Sequence, residues 1–270
     1  MADRSKSPVV MSMPTRIVAA VSGAVLVLLL GEVQVARTRT YLVDVDFTID
    51  RVVGTEHGPA DPVELRVLGD STAAGVGTDG VDDALPVLLA ERVARHLGRS
   101  VHVVGIGVSG ARTADVRRDQ LRRVTDGVDV VVVAVGSNDV IHLTPTPRLE
   151  AQTRELVTAA RATGAAVVLG GIPRFAGVTA LPQPLRWVTD RVAAVQRAAQ
   201  RRGIAGVEGA RFVDIAALAS PRFAGRPEAF ASDDFHPSAV GYGFWADALA
   251  PAVAAALPPA APVPERSPRR

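Results

Sequence analysis

The stretch VDVVVVAVG, residues 128–136, indicates the fold more strongly than any other part of the chain. It contains an uninterrupted apolar run from Val130 to Val135 that ends at Gly136. A strand with one face in water alternates apolar and polar residues, whereas a strand at the centre of a parallel sheet is apolar on both faces. The run therefore predicts the central strand of a parallel sheet that is covered on both sides.

Around this strand, short apolar segments alternate with longer segments of helical periodicity. Further strands are predicted at residues 64–70, 100–107, 165–172 and 210–215, and helices at 83–98, 113–124, 149–163, 185–202 and 240–257. Strands that alternate with helices of this length form βαβ units with right-handed crossovers. The predicted fold is an α/β/α sandwich around a central five-stranded parallel sheet.

Composition excludes several classes of function. The 270 residues are enough for one large domain. The 30 basic and 28 acidic residues nearly balance and are interspersed, so we expect no nucleic-acid partner. The chain has no cysteine, which excludes disulfides, thiolate metal sites, a cysteine nucleophile and a lipoprotein-type anchor.

The N-terminus predicts export. Arg4, Lys6 and Arg16 precede an apolar run from Ile17 to Leu30, which has the length of a signal-peptide core and is shorter than the ~20 residues of a bilayer span. No small-x-small cleavage site follows, and the apolar character continues to Ala36. We therefore predict an extracytoplasmic protein anchored in the membrane, or secreted if the segment is cleaved. The predicted organisation is a basic segment 1–16, a signal or anchor segment 17–36, a connector 37–62, the α/β domain 63–257 and a disordered proline-rich tail 258–270.

Polar residues follow three of the predicted strands directly. Asp70 and Ser71 follow the first, Ser109 and Gly110 the second, and Gly136 to Asn138 the third. Ligands of parallel sheets bind at the carboxyl ends of the strands, so these residues are expected along one edge.

A serine nucleophile needs a base, and that base needs an orienting group. Of the five histidines, His236 lies in a polar turn directly before the last helix, with Asp233 three residues before it. That spacing allows a turn to bring the carboxylate onto the imidazole. An attacked carbonyl also needs hydrogen-bond donors, for which the Gly110 backbone and the Asn138 side chain are candidates.

Taken together, these residues resemble the SGNH hydrolases, the GDSL-type esterase and lipase superfamily. Its four sequence blocks appear in order as GDS (69–71), GVSG (107–110), GSND (136–139) and DDFHP (233–237), and the resemblance covers about residues 63–257. It implies a flavodoxin-like three-layer fold, with Ser71 as nucleophile, His236 as base and Asp233 as its orienting group.

The resemblance further implies an oxyanion hole formed by the Ser71 and Gly110 N–H groups and the Asn138 side chain, and a serine esterase that needs no cofactor or metal. One departure is Gly105, which stands where many relatives carry asparagine. This difference concerns a supporting hydrogen bond and not the mechanism.

Other functions remain open at this point. GVSGA (107–111) is one residue short of the G-x-S-x-G motif of α/β-hydrolases and would make Ser109 the nucleophile. A non-catalytic binding protein could keep the same fold. On the SGNH fold itself, a carbohydrate O-deacetylase or an acyltransferase are alternatives to an esterase.

The substrate is indicated least clearly. The long segment 170–187 leaves the same sheet edge and carries Phe175, Leu181, Leu185 and Trp187, which either line a substrate pocket or cover the core. Only small residues, Thr72 to Gly75, follow Ser71, which favours short acyl chains. The expected partners are a small-molecule or lipid ester and the membrane, and the oligomeric state is left open.

Overall fold

A computed structural model describes residues 13–57 and 61–257, and a six-stranded sheet forms the centre of the molecule. The strand order is β1-β3-β2-β4-β5-β6, with β2 to β6 parallel and β1 antiparallel to β3. The strands are β1 (Asp50–Val53), β2 (Val63–Gly69), β3 (Val101–Gly105), β4 (Val130–Ala134), β5 (Ala166–Gly170) and β6 (Ala210–Val213).

The predicted number of five strands is wrong, because the connector adds β1 at the edge of the sheet. The five predicted strands are present as β2 to β6, and the parallel arrangement predicted for them is correct. β1 was missed because it has four residues and none of them is fully buried. Ile49, just before β1, accepts a hydrogen bond from the Gly105 N–H, and a Cβ at position 105 would lie 2.9 Å from its side chain. An asparagine at position 105 would therefore collide with Ile49.

Helices cover both faces of the sheet, as predicted. On one face α3 and α9 pack on the side chains of Val130 and Val132, and on the other α6 packs on those of Val131 and Val133. This alternation explains why β4 is apolar along its whole length. The helices are α1 (Met13–Thr38), α2 (Ser71–Ala74), α3 (Leu85–Leu97), α4 (Thr113–Asp115), α5 (Ser137–Ile141), α6 (Thr146–Arg161), α7 (Leu185–Ile204), α8 (Ile215–Leu218) and α9 (Ala239–Ala254).

The helix predicted at 113–124 is not a regular α-helix. α4 passes into a π-helical turn, Val116–Gln120, and then a 3-10 turn, Leu121–Arg123. Gln120 is buried, and its side-chain amide bonds to both backbone groups of Gly69. The π-helical turn thus ends at the residue whose amide binds the end of β2.

The N-terminal apolar segment forms α1, in which Ala20–Thr38 is long and apolar enough to serve as a signal sequence or a membrane anchor. Its apolar side chains from Val21 to Leu30 are largely exposed, whereas Glu32 is buried and its Oε2 accepts the Leu185 N–H at 2.7 Å. The end of α1 thus packs on α7. Arg4, Lys6 and the predicted tail 258–270 lie outside the described residues.

Candidate active site

Ser71 begins α2 directly after β2, at a sharp turn. Gly69 has φ +152°, and a Cβ there would overlap the carbonyl oxygen of Ala134 in the neighbouring strand. Asp70 is the N-cap of α2, and its carboxylate accepts the Thr72 N–H at 3.0 Å. The glycine allows close contact with β4, and the cap fixes the direction in which Ser71 leaves the sheet.

The structure brings Ser71, His236 and Asp233 together, although Ser71 and His236 are 165 residues apart in sequence. The Ser71 Oγ lies 3.0 Å from His236 Nε2, and His236 Nδ1 lies 2.7 Å from Asp233 Oδ2. The three residues retain only 8%, 6% and 6% of their accessible surface, respectively. They form a continuous hydrogen-bonded chain in which both ring nitrogens of His236 have a partner.

Asp233 accepts four hydrogen bonds. The Phe235 and His236 N–H groups bind its Oδ1, and the Leu42 N–H and His236 Nδ1 bind its Oδ2. Burial acts to raise the pKa of Asp233, but these hydrogen bonds outweigh it and hold the pKa well below the usual value. The carboxylate is therefore ionised at neutral pH.

The pKa of Asp70 is shifted in the opposite direction from that of Asp233. Burial raises its pKa to about 6, against the lowering effect of its hydrogen bonds from Thr72. Ionisation of Asp70 is thus disfavoured beside Ser71, whereas Asp233 is stabilised as an anion.

The predicted oxyanion-hole residues Gly110 and Asn138 follow β3 and β4. The β3 loop is held against the start of α2, because the Val108 N–H donates to the Gly69 carbonyl and a Cβ at Gly107 would overlap the backbone of α2. Asn138 Nδ2 donates to the Ala111 carbonyl at 3.2 Å, which ties the β4 loop to the β3 loop. Their role as oxyanion donors stays a prediction.

Several buried polar residues that hold these loops were not singled out from the sequence. Asp139 bonds to the backbone and hydroxyl of Thr113 and to the hydroxyl of Thr144. Gln196 donates to the Asp139 and Thr144 carbonyls, and Gln200 bonds to residues at the ends of β4 and β5. For Gln196 and Gln200, a polar residue on the buried face of a predicted helix is the signal that would have indicated them.

The alternative nucleophile Ser109 lies in the β3 loop beside Gly110. It is half-buried and makes no hydrogen bond to any histidine whose side chain the structure describes. The base that an α/β-hydrolase elbow requires is therefore not next to it in this geometry.

The four predicted substrate-pocket residues do not line one cavity. Phe175 and Leu181 are buried in an apolar cluster that Leu185 partly covers, and Trp187 is 56% exposed. Phe175, Leu181 and Leu185 therefore cover the core, whereas Trp187 borders a cavity of about 500 Å³ that the other three do not line. A substrate-binding role for the four residues stays a prediction.

A separate cavity of about 500 Å³ lies behind the loop that carries Asp233 and His236. Asp234 and Pro237 border it, and neither Ser71 nor His236 is among its lining residues. It is therefore adjacent to the hydrogen-bonded chain and not continuous with Ser71.

The chain is similar in sequence to a curated esterase. The GDSL-like esterase Rv1075c of Mycobacterium tuberculosis is 32% identical over 194 residues, which make up 69% of this chain and 60% of that protein. The chain thus spans less than two thirds of that relative's length.

Two solved structures share the fold at lower identity. A putative lipolytic protein of the G-D-S-L family from Desulfitobacterium hafniense superposes with a TM-score of 0.54 at 16% identity, covering 70% of this chain and 98% of that one. An acetyl xylan esterase from Geobacillus stearothermophilus superposes with a TM-score of 0.50 at 24% identity, covering 70% and 94%. The profile of the GDSL-like Lipase/Acylhydrolase family matches residues 67–244, and this chain therefore belongs to that family.

Proposed function

We propose that the protein is a serine esterase that hydrolyses carboxylic esters through an acyl-enzyme intermediate. The observation that carries the proposal is the buried chain from Ser71 Oγ to His236 Nε2 and from His236 Nδ1 to Asp233, at 3.0 and 2.7 Å. Family membership agrees with this chemistry.

In the proposed mechanism, Ser71 attacks the ester carbonyl while His236 takes its proton. The ionised Asp233 orients the ring and stabilises the imidazolium that forms. The Ser71 and Gly110 N–H groups make no hydrogen bond within the described part of the chain, so they are free to donate to the oxyanion, together with the Asn138 amide. His236 then protonates the leaving alcohol, and water activated by the same histidine hydrolyses the acyl-enzyme. No metal or organic cofactor is required by these steps.

The test is hydrolysis of p-nitrophenyl butyrate by the full chain in detergent, with labelling by a fluorophosphonate probe. Ser71→Ala is expected to abolish labelling and lower kcat by about a thousandfold or more, because it removes the nucleophile. Ser109→Ala is the matched control and is expected to behave like the wild type. The reverse result would favour Ser109 as the nucleophile, and a wild type without labelling would favour a non-catalytic protein.

For the substrate we propose short acyl chains, because the residues that follow Ser71 in α2 are small. A panel of esters from about two to sixteen carbons tests this, with the best kcat/KM expected at short chains. An optimum at long chains would contradict it. If the probe labels the protein but no ester of the panel is hydrolysed, the favoured function becomes a carbohydrate O-deacetylase or an acyltransferase.

For location we propose that α1 holds the domain at the outer face of a membrane. Support comes from the basic residues before the apolar run and from the exposed apolar side chains of α1. We expect the protein to remain with the membrane after carbonate extraction. We also expect a protease added outside the membrane to reach the domain. A protein in the cytoplasmic fraction with an intact N-terminus would contradict this proposal.

A further inference from the structure

The segment that joins α1 to β1 contacts three successive residues of the loop before His236. The Leu42 N–H donates to Asp233 Oδ2 at 3.1 Å, and the Arg39 guanidinium lies 3.3 Å from the Asp234 carboxylate. The Tyr41 ring packs edge-on against that of Phe235, with centroids 5.2 Å apart. The chain that leaves the apolar helix therefore passes directly over this loop.

These contacts matter because of the position of Leu42 among the donors to Asp233. Both N–H groups on Oδ1 come from the residues that follow Asp233 in the same turn, whereas the Leu42 N–H comes from 191 residues away. It shares Oδ2 with His236 Nδ1. A second donor on that oxygen limits rotation of the carboxylate and so fixes the direction from which it accepts the histidine.

From this geometry we infer that residues 39–42 are a positioning element of the active site, in which the Leu42 N–H orients Asp233 and, through it, His236. The inference rests on the proposed esterase function. It means that the segment after the apolar helix contributes to turnover in addition to linking the helix to the domain.

Two further features support the inference. Leu42 is 38% exposed, and its contact with Asp233 is made by the backbone N–H. The chain is also fixed to the domain before and after this segment. The Glu32 carboxylate accepts the Leu185 N–H, and the Ile49 carbonyl accepts the Gly105 N–H. Tyr41 adds a second route to the site, because Phe235 packs against the His236 ring at 5.1 Å.

The test compares full-chain variants that differ in one N–H group. Leu42→Pro removes the donor, Leu42→Ala keeps it, and Val43→Pro places proline at an exposed neighbour whose N–H makes no hydrogen bond to the described residues. Leu42→Pro is expected to lower kcat for p-nitrophenyl butyrate about tenfold, with KM and both controls within about twofold of wild type.

A double-mutant cycle separates positioning from a general structural effect. In an Asp233→Ala background, Leu42→Pro is expected to lower kcat by less than about twofold, because the group that it positions is gone. If Leu42→Pro does not fold, Tyr41→Ala takes its place and Tyr41→Phe is its control. A lower kcat is then expected for the alanine variant only, because phenylalanine keeps the ring that packs on Phe235. Equal kcat of the two Tyr41 variants would overturn the inference.

The inference is overturned if Leu42→Pro matches Leu42→Ala, or if its loss is the same in both backgrounds. In either case the esterase proposal still holds if the wild type hydrolyses the ester and reacts with the probe. A wild type that neither hydrolyses the ester nor reacts with the fluorophosphonate would remove the esterase proposal, and this inference with it.

Discussion

The side chain of Gln120 hydrogen-bonds both backbone groups of Gly69. Its Oε1 accepts the N–H at 2.9 Å, and its Nε2 donates to the carbonyl at 2.7 Å. Gly69 is the last residue of β2 and lies two residues before Ser71. Both Gly69 and Gln120 are buried. Gln120 thus supplies the partner of the Gly69 N–H where β2 turns away from the sheet, and it shares the Gly69 carbonyl with the Val108 N–H.

Gln120→Leu is expected to destabilise the fold by about 1–3 kcal/mol, because the buried Gly69 N–H loses its partner and the Gly69 carbonyl keeps only the Val108 N–H. Urea unfolding of the full chain in detergent measures this change. Arg123→Leu, an exposed substitution three residues on, is the control and should change stability little. Equal stability of the two variants would show that the Gly69 groups find other partners.

Asp70→Asn is expected to stabilise the protein at pH 8 and to have little effect near pH 4. The pKa of Asp70 is raised from 3.8 to about 6, so the folded state binds its proton more tightly than the unfolded state does. Stability from this group is present below pH 4 and is lost as the pH rises through 6. The variant removes that loss and gains up to about 3 kcal/mol.

Urea unfolding between pH 4 and 8 tests this pH dependence. Asparagine still offers an oxygen to the Thr72 N–H, so the cap of α2 is kept. Asp126→Asn, at an exposed loop position, is the matched control. A difference between Asp70→Asn and wild type that does not change with pH would contradict the prediction.

Loss of Asp233 should damage turnover less than loss of Ser71 or His236. Ser71→Ala and His236→Ala each remove a group that takes part in proton transfer or bond formation, whereas Asp233→Ala removes its orienting partner. We expect kcat of Asp233→Ala to exceed that of the other two by about ten- to a hundredfold. Steady-state kinetics on p-nitrophenyl butyrate gives the ranking, and near-normal activity of Ser71→Ala or His236→Ala would refute the assigned roles.

Alanine should have very different effects at Gly69 and Gly110. Both glycines have positive φ, at +152° and +81°. A Cβ at Gly69 would overlap the Ala134 carbonyl, whereas nothing lies within 4 Å of a Cβ at Gly110. Gly110→Ala is expected to cost about 1 kcal/mol from backbone strain and Gly69→Ala several times more. Thermal unfolding compares the two, and similar costs would argue against the contact between β2 and β4.

The sequence predicted the β2 to β6 strands and the residues of the hydrogen-bonded chain because their signals are local. Val130 to Val135 are apolar because both faces of β4 are covered, and Ser71 and His236 lie in turns directly next to recognisable strands or helices. The alternation of strands and helices then placed the strand ends along one edge.

The edge strand β1, the bond from Leu42 to Asp233 and the contact of Gln120 with Gly69 were decided by the tertiary structure. Each of these three features joins segments far apart in the chain through backbone groups or a single amide, and none of them leaves a periodic pattern in the sequence. A backbone N–H is present at nearly every residue, so only the folded arrangement determines that the one at Leu42 meets a buried carboxylate 191 residues away.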